Sequence, residues 1–170
     1  MSTRSLIACK NEDGSIDLIY CHSDGYPSHN GRILLENYQS PAKVRQLIAL
    51  GDIYSLGEEI GRRHPIDWRE KAYKRGMKYY LNALQSGPYA KMCDAFGRDG
   101  RQKATEARHY LSVEELESVI PNIKADSFAD YLYGFDAQSG VWYWLDTHKS
   151  VRNLDGLQEL TPDAFQEIAA

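Results

Sequence analysis

Two strand-turn-strand segments, one near each end of the chain, constrain the fold more than any other feature. Residues 130–146, DYLYGFDAQSGVWYWLD, form a hairpin around Asp136 to Gly140 whose two faces are both apolar or aromatic. With a five-residue loop, Phe135 faces Val141, Gly134 faces Trp142 and Tyr133 faces Tyr143. Successive strand residues point to opposite sides. A hairpin that is apolar on both sides therefore belongs in the middle of a sheet, or lends one face to a partner. Core burial is the simpler of the two readings.

Near the other end, Ser5–Lys10 and Ile16–His22 flank Asn11-Glu12-Asp13-Gly14, a strong turn signal, and read as a second hairpin. That turn sets Cys9 beside Asp17 rather than beside Cys21, which disfavours a disulfide between the two cysteines. Neither they nor Cys93 sit in a Cys-x-x-Cys pair, so reduced, buried thiols are expected.

The intervening sequence is mostly helical in pattern. One helix starts near Asn30 and carries Ile33, Leu34 and Tyr38. Ser40-Pro41 then caps and opens a second, with Val44, Leu47 and Ile48 on one side and Gly51 at its close. Residues 52–67 read as loop. From Trp68 to Gln85, Ala72, Tyr73, Met77, Tyr80, Leu81 and Leu84 recur at helical spacing, giving one helix weakened at Gly76 by about 1 kcal/mol. Residues 86–110 follow no clear period. Ser112 and Glu115 make a capping box for a short helix that ends about Ile120, ahead of Pro121. Thr161-Pro162 opens a terminal helix containing Phe165 and Ile168. The expected class is α+β: one domain over residues 1–170, with a mainly antiparallel sheet built from the two hairpins and about five helices.

No apolar run is long enough for a membrane span, and the start MSTRSLIACK lacks the pattern of a signal peptide. A cytoplasmic protein with no membrane partner is expected. Its charge is unevenly placed: −3 over residues 1–60, +7 over 61–110 and −8 over 111–170. A basic middle between acidic ends either steers charged partners or draws the segments together.

Residues 21–31, CHSDGYPSHNG, crowd a cysteine, two histidines, a serine and an aspartate into the passage from strand to helix. Nucleophilic catalysis by Cys21 needs a base within hydrogen-bond reach. His22 is adjacent and points to the opposite face, while His29 would have to fold back across Asp24-Gly25. A metal site would draw on His22, Asp24 and His29 with a remote ligand such as His64, His109 or His148, a spacing that matches no standard pattern. Turn chemistry explains more of the segment. Asp24-Gly25 forms turns, Tyr26 is held extended before Pro27, and Ser28 or Asn30 can cap the helix. No catalytic constellation, metal or cofactor is expected. Binding stays open, because glycines 25 and 31 at a helix start can offer N–H groups to an anion. His22, Asp24, Gly25, Tyr26, His29 and Gly31, with Arg98, are the candidate ligand-binding residues.

A second candidate surface lies on the middle helix. Lys71, Lys74, Arg75 and Lys78 fall at i, i+3, i+4 and i+7, with Arg62 and Arg63 ahead of them and Tyr73 and Tyr79 interleaved. Such a stripe can meet nucleic acid, a nucleotide or an acidic protein face. A solvated helix face has the same pattern.

The N-terminal stretch resembles a group of short, largely uncharacterised proteins of bacteriophages, prophages and other mobile elements. The residues that carry the likeness are Ser2-Thr3-Arg4-Ser5, Glu12-Asp13-Gly14, Tyr20-Cys21-His22, Asp24-Gly25-Tyr26-Pro27 and Gly31. Leu50-Gly51-Asp52, Ser55-Leu56-Gly57 and Gly97-Arg98-Asp99 extend it. Where such proteins commonly have an aromatic before the aspartate, this chain has Ser23. The resemblance implies a mobile-element context in a bacterial host cell, where small proteins are often accessory factors, including inhibitors of host defences such as CRISPR–Cas or second-messenger systems. Together with the charge polarity and the lack of a catalytic constellation, it leads to the expectation of a factor that inhibits a host defence component by stoichiometric binding. A nucleotide-signal sponge or small hydrolase, and a nucleic-acid-binding protein, are the alternatives.

Overall fold

The structure is a computed structural model that describes residues 2–64, 66–100, 105–149 and 153–166, with the backbone alone at 66–69 and 84–85. The two hairpins are its centre. β1 (Ser5–Lys10) pairs antiparallel with β2 (Ile16–Cys21), and Cys9 stands opposite Asp17 as the turn dictates. Gly14 takes a positive φ of 88° in that turn, and the Asn11 amide donates to Ser15 O. β6 (Tyr131–Asp136) and β7 (Val141–Asp146) form the second hairpin, and β6 lies parallel to β1. The sheet is completed by β3 (Ile53–Ser55), β4 (Asp94–Ala95), β5 (Arg108–Tyr110) and β8 (Gln158–Glu159). Its order is β4-β3-β2-β1-β6-β7-β8, with β5 also on β2. The fold is α+β with a mixed, mostly antiparallel sheet.

The second hairpin turns one residue later than expected, through four residues rather than five. Asp136 stays in the strand opposite Val141, so Phe135 faces Trp142, Gly134 faces Tyr143 and Tyr133 faces Trp144. Asp136 holds this register by accepting the amides of Gln138 at its carboxylate and Gly140 at its carbonyl, with Gly140 at φ 72°. A one-residue slip exchanges the faces of one strand relative to its partner. Here it gathers Tyr133, Phe135, Trp142 and Trp144 on one side with Ile7, Cys9, Ile19 and Cys21.

That side is covered by a five-residue π turn (Pro27–Gly31), α1 (Arg32–Asn37) and α2 (Pro41–Ala49). Leu34, Tyr38, Val44 and Leu47 pack into it. Ser40 Oγ accepts the Lys43 amide at 3.3 Å and caps α2. On the opposite side, Leu6, Ala8, Ile16, Leu18, Leu132 and Leu145 meet Leu116 and Ile120 of α5 (Val113–Ser127). Burial on both faces explains the nearly unbroken apolar run of β1.

α5 does not stop at Pro121. It runs on to Ser127 because Leu116, Ile120 and Ile123 continue one apolar stripe onto the sheet while the proline faces solvent. Residues 52–67 are not all loop: β3 emerges there, too short to show a period. The expected terminal helix is a 3₁₀ turn over Pro162–Gln166, and Ile168 lies outside the described residues. No helix among the described residues is long and apolar enough to cross a membrane.

Candidate functional site

The strand-to-helix bend is a clasp. Cys21 ends β2 with its side chain wholly buried, and burial pushes its thiol up to about 12. Asn30, also fully buried, is the hub: its Nδ2 lies 3.3 Å from Ser5 Oγ, 3.3 Å from Cys21 Sγ and 3.2 Å from Ser23 O. His29 Nδ1 lies 3.0 Å from Asn30 Oδ1, and the Tyr26 ring meets the His29 ring edge-on. Asp24 carries a left-handed φ of 54°, and its carbonyl accepts the Asn30 amide. Gly25 donates its amide to Thr3 O at 2.8 Å and accepts Tyr133 Oη at 2.7 Å. A Cβ on Gly25 would stand 2.6 Å from the Arg4 carbonyl carbon, and one on Gly31 would stand 3.3 Å from the Tyr133 ring. The Gly25 amide and carbonyl, with the Asn30 side chain, tie β1, β2, β6 and the helix start together.

His22 leaves on the other face, as alternation requires. Its Nδ1 lies 2.9 Å from Tyr20 Oη, and its ring stacks on Tyr54. Cys21 and His22 therefore do not meet as nucleophile and base. Cys9 is likewise pushed up by burial, to about 11, and Cys93 is raised by burial. Thiols held this far above neutral pH are weak nucleophiles.

A group with metal-ligand chemistry lies elsewhere: His64, Asp94 and Asp99, all buried, with ligand atoms within 4.8 Å of one another. Arg98 decides its character. Its guanidinium pairs with both Asp99 oxygens at 3.1–3.2 Å and donates to Ile60 O and Cys93 O. Asp99 also accepts the amides of His64 and Ala95 at 2.8 Å. A divalent ion would have to displace an arginine and two backbone donors from that carboxylate. The cluster is a buried ion pair that pins the 60–64 segment to the 93–99 segment. Nothing in the sequence joined His64 to Asp99, 35 residues away; the adjacent Arg98-Asp99 pair was the one visible sign. The remaining histidines are apart, His109 on Asp17 and His148 on Asp130.

The basic stripe has a different geometry from the single helix its spacing suggests. Gly76, at φ 108°, breaks the run into α3 (Ile66–Lys74) and α4 (Met77–Ser86). The two pack chiefly on each other as a helical hairpin. Trp68, Leu84 and Gln85 belong to the positions whose side chains are not described. Lys71 and Lys74 stay on α3, Arg75 sits at the break and Lys78 begins α4, all exposed. Lys74 pairs with Glu70, and Arg75 lies over the Tyr79 ring while donating to its Oη at 2.8 Å. Ala72 is buried, yet Tyr73 is 62% exposed, Met77 55% and Leu81 47%. Arg62 and Arg63 are exposed on the approach. Cations and large apolar side chains are thus both exposed on this helix pair.

No protein-family model, curated protein or solved structure matches this chain.

Proposed function

We propose that the protein is a non-catalytic accessory factor of a bacteriophage or other mobile element. In this reading it binds and inhibits a host defence complex in the bacterial cytoplasm, and the α3–α4 hairpin is its contact surface. The observation that carries the reading is the exposure of Tyr73, Met77, Tyr79 and Leu81 among Lys71, Lys74, Arg75 and Lys78. Several exposed large apolar side chains on adjoining helices are the kind of feature that marks interaction surfaces, and aromatic, Met and Arg residues are the types enriched at protein interfaces. Met77 and Leu81 favour a protein partner with an acidic rim over nucleic acid alone, whose phosphates ask only for the cations. The raised, buried thiols and the separation of Cys21 from His22 fit a role in binding rather than turnover.

The test is titration of the protein into a reconstituted CRISPR-type effector nuclease. Inhibition should be complete at about one equivalent, and charge reversal at Lys71, Lys74 and Arg75 should weaken it by about tenfold or more with an unchanged melting temperature. Equal inhibition by the reversed variant, or no inhibition of any effector, sinks the reading. Tight, steeply salt-dependent binding to free DNA or RNA would assign the stripe to nucleic acid instead.

A further inference from the structure

We infer that the α5 side of the sheet holds a binding site for a small apolar or aromatic molecule, seated above Gly134. The site goes beyond the partner surface and uses none of its residues. Gly134 lies inside β6, where a glycine weakens a strand. Two demands ordinarily explain such a residue. One is a positive φ, and Gly134 is not among the glycines that have one. The other is close approach of neighbouring atoms, yet among the described residues a Cβ built on Gly134 meets nothing within 4 Å. Gly25 and Gly51 contrast with it, since a Cβ there would collide with backbone at 2.6 Å and 2.2 Å. The structural consequence of Gly134 is room.

The register enlarges that room. Ala8 is the partner of Gly134 on β1, so the two smallest side chains of the central strands lie side by side. They floor a hollow of about 330 Å³ between α5 and the segment around Leu154, walled by Leu116, Leu132, Tyr143 and Leu154. The Leu154 amide donates to Glu117 Oε1 at 3.0 Å, which fixes that wall to α5. The volume falls at the small end of ligand pockets, and the lining is hydrocarbon and aromatic apart from Lys10 and Asp136. Lys10 stands exposed at the rim. Its register partner Asp136 has a carboxylate engaged by the Gln138 amide. The occupant that fits is a compact ring system or short aliphatic chain, with at most one anionic group turned to Lys10.

Two probes test this on the whole protein: 8-anilinonaphthalene-1-sulfonate, which carries one anion, and neutral N-phenyl-1-naphthylamine. Each should bind saturably at one site, raise the melting temperature with concentration, and shift the amide resonances of Ala8, Leu116, Gly134 and Tyr143. Gly134→Leu fills the hollow and should weaken both probes by about tenfold or more without lowering the melting temperature of the free protein. Ala8→Val closes the same floor from the neighbouring strand and carries the same expectation if the leucine variant does not fold. Lys10→Gln should weaken the sulfonate probe alone. Absence of saturable binding by either probe, or equal binding to wild type and both filled variants, overturns the inference.

Discussion

Gly25 and Gly134 are both glycines beside a central strand, yet they answer to opposite demands. Gly25 passes under the Arg4 backbone with no space for a Cβ, whereas Gly134 looks into open volume. Alanine at residue 25 should therefore cost about 1–3 kcal/mol through overpacking. Alanine at residue 134 should stabilise by about 0.4–1 kcal/mol, by removing backbone freedom from the unfolded chain. Urea unfolding of the two variants measures both signs, and two shifts in the same direction would refute the distinction. The cysteines allow a second check at this scale. All three are buried, so a thiol reagent at neutral pH should label none of them in the native protein and all three after unfolding. Rapid native labelling of Cys21 would mean that the clasp around Asn30 opens easily.

Among the elements, α5 carries the least economical residue. Pro121 removes one helical N–H from the middle of a 15-residue helix and faces solvent, where it packs against little. Pro121→Ala should raise the unfolding free energy by about 1–2 kcal/mol, the restored helix propensity exceeding the lost rigidity of the unfolded chain. A decrease in urea or thermal unfolding would show instead that the proline contacts matter. The same element marks where sequence patterns stop being informative. A proline reads locally as a terminator, and the override comes from Leu116, Ile120 and Ile123 meeting strands that are distant in sequence. Long, patterned elements were legible for the opposite reason: the two hairpins, α1, α2 and the capping box at Ser112 follow from local chemistry. The register of β6 and β7 was not, because one residue of loop length decides which aromatics share a face. β3 and β4 are too short for a period: β3 forms because β2 offers an edge, and β4 pairs in turn with β3. The site was legible as composition only. The lysines and arginines were visible at their spacing, while the break at Gly76 and the exposure of Tyr73 and Met77 depend on what α3 and α4 fail to pack against.

At the scale of the molecule, the parallel pairing of β1 with β6 joins hairpins about 125 residues apart, so the sheet forms only when both ends are present. Charge follows the same logic. Arg108 pairs with Asp52, Lys91 with Glu58 and His109 with Asp17, binding the basic middle to the acidic N-terminal segment and leaving the hairpin cations outward. Asp99 and His109 give stability a defined pH dependence. Burial alone would raise Asp99, but the Arg98 hydrogen bonds and the amides of Ala95 and His64 outweigh it and hold the carboxyl below its usual value. Its contribution is present above the unfolded pKa of about 3.9 and is lost as pH falls through the folded value. His109 is raised, first by its hydrogen bond to Asp17. Its contribution is present below the unfolded pKa of about 6.5 and is lost as pH rises through the folded value. The unfolding free energy should therefore fall steeply on the acid side and decline gently as pH rises past about 6.5, gently because the His109 pair is exposed and screened. Asp99→Asn should lower stability at neutral pH and make the acid limb shallower. Some acid slope should survive, because Glu12, Asp13 and Glu114 are also held low. Asp17→Asn should flatten the upper limb and leave the acid limb in place, and urea unfolding across the pH range separates the two. An upper limb unchanged by Asp17→Asn would show that a group other than His109 sets it.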